Sequence, residues 1–253
     1  MTRATRLLGR RNSPSRISGL RVWLDAADIS TLTFNSSTIA QWRDKSGFNN
    51  HASQATALRQ PRYNATALSG LPAIEGRHDG TNASQLTISD SPSLDYSQFT
   101  QFLVLQRVTD LNFNEHLVGK FLISGSQIEQ RMVIQGASDR VYLSADLDGA
   151  SGGEVNPVLT TPTLAVGTRY VLDSQYAGTT LRLRANNSTA ITGTLASIFN
   201  GTAPFVLFSQ GTSFSEPYAG HIAEFLFYNR ALSTSERQTV MHYLSTKWRV
   251  TLS

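Results

Sequence analysis

The chain of 253 residues contains no cysteine. No disulfide, thiolate zinc site or cysteine nucleophile is open to it, and its fold must hold by burial and strand pairing alone. Charge is scarce as well. Asp, Glu, Lys and Arg make up 16% of the residues, against about 25% in an average globular protein. Ser, Thr, Asn and Gly fill the gap and predict a surface that is polar without being charged. No apolar run approaches the roughly 18 residues of a membrane-spanning helix, and the N-terminus lacks the apolar segment of a secretory signal. What is present is enough apolar residue, 40%, to fill one large β domain. The Asn-x-Ser/Thr triplets at Asn35, Asn64, Asn82, Asn186, Asn187 and Asn200 follow from composition.

The net charge of +4 is unevenly placed. Residues 1–19 carry Arg3, Arg6, Arg10, Arg11 and Arg16 and no acid, so 17 of the 22 basic residues face all 18 acidic ones in the remainder. This leader, with Leu7 and Leu8 as its main apolar content and Pro14 and Gly19 interrupting it, buries too little alone to offset its ordering entropy. Ala4, Leu7 and Leu8 have helical spacing. The leader is expected to order against a neighbouring subunit or an acidic surface. A mitochondrial transit peptide is a weaker alternative. Nucleic acid is not the expected partner, because no aromatic residue is interleaved to stack on bases.

From Gly19 onward short apolar segments alternate with polar turns, at Leu20–Leu24, Ile39–Trp42, Phe99–Val108, Leu117–Ile123, Met132–Ile134, Val141–Ala145, Tyr170–Tyr176, Thr179–Arg184, Phe205–Phe208 and Ile222–Tyr228. About ten strands with frequent turn signals predict a sandwich or barrel. One helix is expected, at the end. Ser233 and Glu236 stand at the spacing of a capping box, and Val240, Tyr243, Leu244 and Trp248 follow as an apolar stripe.

Gly220-His221-Ile222-Ala223-Glu224-Phe225-Leu226-Phe227-Tyr228-Asn229-Arg230-Ala231-Leu232-Ser233 with Glu236-Arg237 resembles the closing strand and helix start of laminin G-like, concanavalin A-like domains. Leu24–Asp28, Gln41-Trp42-Arg43-Asp44-Lys45-Ser46-Gly47 and Ser91–Asp95 resemble other parts of the same family. Ala223 departs from it, since that position is often aspartate. The resemblance covers about residues 20–250. It implies an all-β, two-sheet jelly-roll sandwich (20–253) with one C-terminal helix, preceded by an extended basic arm (1–19). It also implies roles in adhesion, glycan binding or phage structure, and in some related jelly rolls glycoside hydrolysis. Fold alone does not choose among these.

Residue chemistry narrows the choice. A glycosidase needs two carboxylates flanking one bond, and the only close alternation is Asp146-Leu147-Asp148, which Gly149 turns into a hairpin signal. Asp146 and Asp148 are also candidate calcium ligands, as are Asp25, Asp28 and Asp44, and the competing role is turn capping. The five histidines show no metal-helix spacing, and there is no serine elbow or phosphate loop. Candidate sugar-facing aromatics are Tyr176, Phe214 and Tyr218, with Tyr96 and Phe113 beside them. The expectation is a non-catalytic module without a required cofactor. In a virion it would be a capsid decoration, head fibre or tail appendage, held in an oligomeric assembly through Arg3, Arg6, Leu7, Leu8, Arg10, Arg11 and Arg16. The alternative is a carbohydrate-binding adhesion module at the cell surface or outside the cell.

Overall fold

The computed structural model describes residues 13–80, 82–122, 127–149, 154–155, 163–210 and 216–253. Strands come first and a helix last. The early strands are β1 (Leu20–Asp25), β2 (Leu32–Asn35), β3 (Thr38–Trp42), β4 (Ala52–Ser53), β5 (Arg62–Asn64), β6 (Ala73–Glu75) and β7 (Leu86–Ile88). Longer ones follow: β8 (Phe99–Arg107), β9 (Glu115–Leu122), β10 (Gln127–Gln135), β11 (Arg140–Asp146), β12 (Glu154–Val155), β13 (Arg169–Ala177) and β14 (Thr180–Ala185). β15 (Ile191–Thr194), β16 (Phe205–Leu207) and β17 (Gly220–Tyr228) precede α1 (Thr234–Trp248).

Among the described residues every strand pairing is antiparallel. One layer runs β15-β14-β13-β8-β17, with β1 and β6 sharing the far edge of β17. The second runs β4-β7-β16-β9-β10-β11-β12. β3 and β5 join the two at one side. The layers face each other through a shared core. Phe205 of β16 meets Phe225 and Phe227 of β17 at ring separations of 6.0 and 4.9 Å, and Gln101 of β8 reaches Gln130 of β10 across the middle. β8 and β17 are buried on both faces, which explains why they read as nearly continuous apolar runs.

The outer face of the first layer is covered by α1. Ser233 Oγ accepts from Glu236 N, while the Glu236 carboxylate takes the Ser233 amide at 2.8 Å, the reciprocal cap expected from the sequence. Val240, Met241, Leu244 and Trp248 are buried against the sheet. A β-bulge sets this face. Ile222 pairs with Leu105 but Glu224 pairs with Val104, so Ala223 is the extra residue. Because of it, His221 and Glu224 both look outward, three residues apart on β17. The Ala223 carbonyl accepts from Ala26 N at 2.9 Å, so the departure from the family pattern falls on the bulge itself.

The described part of the leader lies on the body. Pro14 is buried and its carbonyl accepts from Tyr228 Oη at 3.2 Å, Ser18 O takes Arg230 Nε at 3.0 Å, and Ile17 packs on the core. Arg16 is exposed. Arg3, Arg6, Leu7, Leu8, Arg10 and Arg11 lie outside the described residues.

Candidate functional site

Where α1 stops covering the outer face, β17 continues past its edge partner β1 and pairs with β6 instead, His221 opposite Glu75. A groove of about 560 Å³ opens there, within the roughly 300–1,000 Å³ of ligand pockets. Its floor is backbone. Gly76 N donates to Gly220 O at 2.8 Å, and a Cβ at Gly76 would overlap Tyr218 O and the Phe208 ring. One wall is formed by Arg77, His78, Asp79, Asn82 and Ser84, held by the His78–Ala83 bridge and by Asp79, whose carboxylate accepts from Asn82 N at 2.6 Å. The opposite wall is the segment after β8, including Val108 and Leu111. The His78 and Phe113 rings meet edge to face at 5.9 Å and tie the two walls together.

The polar groups in this groove have open valences. Gln106 donates its amide to Gly167 O at 2.6 Å, so its oxygen faces His221 Nδ1 at 3.2 Å and requires Nδ1 to carry the proton. His221 Nε2 is then an acceptor, 3.8 Å from Glu75, too far for a hydrogen bond. The His221 side chain is only 9% exposed. Burial holds its imidazole below the ordinary range, with Glu75 opposing the shift. Among the described residues Glu75 takes one hydrogen bond, from Asn64 Nδ2 at 3.2 Å. Arg77 spends one nitrogen on Gln60 O, while its buried Nε has no partner. Exposed Leu58 and Val108 form an apolar rim. Fixed donors and acceptors beside apolar surface can engage a ligand bearing many hydroxyls and hydrophobic C–H faces.

The sequence candidates fall elsewhere. Tyr176 is 2% exposed and donates to Leu195 O. Tyr218 is fully buried beneath the groove floor, donating to Gln106 O at 2.8 Å. Neither offers a ring face to a sugar: the alternation of β13 turns Tyr176 into the core, and Tyr218, just before β17, is held there by its hydroxyl bond to Gln106 O. Phe214 lies outside the described residues. Of the four that are described, Phe113 is the one that reaches the groove wall, through the His78 ring. Asp146 is buried and accepts from Asp148 N at 3.2 Å, the geometry of a capped turn. The second aspartate trio is occupied by ammonium groups. Lys45 Nζ lies 2.8 Å from Asp25 and 2.9 Å from Asp28, and Lys247 Nζ 2.6 Å from Asp25. Asp44 is spent on its own loop. Among the described residues no group of three or more His, Asp or Glu side chains could hold a metal ion.

The groove itself was missed by sequence reasoning. Its signal is Glu75-Gly76-Arg77-His78-Asp79, three charges and a histidine within five residues of a chain that is only 16% charged.

The fold is an antiparallel β-sandwich with one C-terminal helix. Domain 4 of an extracellular arabinanase from Geobacillus stearothermophilus, solved with arabinotriose, superimposes with a TM-score of 0.61 at 16% identity, over 87% of this chain and 96% of that one. The binding domain of Paraclostridial Mosquitocidal Protein 1 gives 0.61 at 15% identity over 92% of this chain. The binding domain of Botulinum neurotoxin DC, solved with rat synaptotagmin II, gives 0.62 at 10% over 92%. This chain spans about half of each toxin domain, 53% and 52%. Trypanosoma rangeli sialidase, solved with sialic acid, gives 0.60 at 12%, with 33% of it covered. At these identities the likeness is one of fold. No protein-family model matches the chain, and no curated protein matches it by sequence.

Proposed function

We propose that this chain is a non-catalytic binding module that holds a carbohydrate in the groove between β6, β17 and the segments 77–80 and 82–84. The observation that carries the reading is the nine-tenths-buried His221 with its acceptor nitrogen turned toward Glu75 and the groove. Around it stand a carboxylate with one protein donor, an unpartnered Arg77 Nε and an apolar rim. The arabinanase domain solved with arabinotriose supports a sugar on this type of sandwich, and the two toxin domains support a role in attachment. The resemblance of the closing strand to laminin G-like domains points the same way. Asp79 spends its carboxylate on Asn82, so the groove does not offer a free pair of acids for glycoside hydrolysis. A glycan array with wild-type protein and Glu75→Gln is the test. The wild type is expected to retain a defined set of sugars, and the variant to lose about tenfold in affinity, the cost of about one charge-assisted hydrogen bond. A wild type that binds none, or a variant that binds equally well, overturns the reading. Release of reducing ends from the bound sugars overturns its non-catalytic part.

A second reading is favoured by the charge split. In it residues 1–19 form an arm that lashes a jelly-roll body, 20–253, to neighbouring subunits of a virion, as decoration, head fibre or tail appendage. Since residues 13–19 rest on the body, the informative deletion is 2–12. Loss of incorporation into particles with unchanged thermal stability supports the arm; unchanged incorporation removes it.

A further inference from the structure

A cleft of about 390 Å³ lies at the other end of β7 from the groove. Ser84, just before β7, lines the groove, and Ser89, just after it, lines the cleft. Five residues of extended chain put these walls about 17 Å apart. We propose that this cleft is a second, independent site for a polyhydroxylated ligand, which makes the module bivalent. The proposal rests on the carbohydrate reading of the first groove and adds to it.

The cleft is assembled by the loop that follows β3. Asp44 folds it, accepting from Trp23 N and Ser46 N at 2.8 Å, from Ser46 Oγ at 2.6 Å and from Asn50 N at 3.1 Å. Gly47 and Asn49 supply the left-handed backbone the turn requires, with φ of 95° and 60°. The result is Phe48 held at the rim, 45% exposed, with the Arg21 guanidinium 4.3 Å from its ring centre. Asp44 N donates to His51 Nδ1 at 3.0 Å, so the His51 proton sits on Nε2 and that nitrogen is a fixed donor. Asp90 supplies the matching acceptor. Lys120, wholly buried, spends its ammonium on Asp90 Oδ1 at 3.0 Å, Glu129 at 2.9 Å and Gly201 O at 3.2 Å. Asp90 Oδ2 takes no hydrogen bond among the described residues. Asn50, 4% exposed, fixes the Ser91 and Ser93 hydroxyls around the cleft. An aromatic face, an oriented donor, a pinned acceptor and two placed hydroxyls match the alternating hydroxyl and C–H surfaces of a sugar.

The experiment titrates arabinotriose, cellotriose and galactose, each to high millimolar concentration, into isotopically labelled full-length protein. Amide shifts of wild type, Phe48→Ala and Glu75→Gln are followed. Two separate saturable sets of shifts are expected, one around 75–79 and 219–221, the other around 48–51 and 88–93. Phe48→Ala should weaken the second set about fivefold and leave the first unchanged, with Glu75→Gln doing the reverse. Shifts confined to the groove, or a cleft response indifferent to Phe48→Ala, overturn the second site while the carbohydrate reading survives. No saturable shift at either place with any of the three sugars overturns both.

Discussion

Glu224 and Glu75 look out from the same face of the same layer, one on β17 and the other on the strand that takes over its edge. Glu224 is fully buried beneath α1 and accepts from four groups: Trp23 Nε1 at 2.7 Å, Tyr243 Oη at 2.9 Å, Lys247 Nζ at 2.7 Å and Trp248 Nε1 at 2.5 Å. Glu75 stands beyond the helix with a third of its side chain exposed and a single amide donor. Burial pushes the Glu224 carboxyl above its ordinary range, Lys247 only partly offsetting this. The contrast separates structural acids from available ones. A saturated carboxylate locks elements together, and an unsaturated one at an opening has capacity left for a ligand.

The strongest challenge to that contrast is Glu224→Ala. It leaves two indoles and a phenol under the helix without their acceptor and Lys247 with Asp25 as its one remaining carboxylate, and a loss of about 3–5 kcal/mol is expected in urea unfolding. A loss below about 1 kcal/mol would mean the cluster is not what holds α1 down.

Glu115 is an intermediate case. It is wholly buried beside Arg107, which it shares with Asp110 and Asp139, and burial raises its carboxyl to about 7 despite the guanidinium. The folded form therefore holds a proton that the unfolded chain releases near its ordinary 4.5. That stabilisation is complete below about pH 4.5 and is lost as pH rises through 7, on the order of 3 kcal/mol in all. Thermal midpoints measured from pH 5 to 8 should fall in the wild type and flatten in Glu115→Gln. Parallel curves would remove Glu115 as the cause.

The smallest stability effect belongs to Glu75→Gln, within about 0.5 kcal/mol, although the same variant should lose ligand. Marked destabilisation would reclassify Glu75 as a second lock.

Much of the scaffold was legible. The Ser233–Glu236 cap, the helical stripe and the long strands β8, β13 and β17 appear where local pattern put them, because their chemistry is decided by near neighbours in the chain. The short strands β4, β5, β6 and β7 were not read, since two or three residues carry no periodicity. The groove was illegible for a related reason. It draws Asn64, Glu75, Arg77, Val108 and His221 from separate segments, and only pairing β6 with β17 brings them together. Tyr176 and Tyr218 illustrate the converse. Both sit near turns in the sequence, yet the pleat of β13 turns Tyr176 inward and a hydroxyl bond to Gln106 O, on a distant strand, holds Tyr218 inward. The Gly-x-Ile-x-Glu pattern was visible as letters, while its meaning depended on the bulge at Ala223.

The Trp23–Glu224 hydrogen bond spans 201 residues, and the Lys247–Asp25 ion pair spans 222. On the ribosome, the first strand emerges long before the strand and helix that complete it. β1 must wait with its edge unpaired, and a nascent chain truncated before residue 220 should be held by chaperones or aggregate rather than fold. The order of synthesis thus leaves β1 without its partner strand until residues 220–228 have emerged.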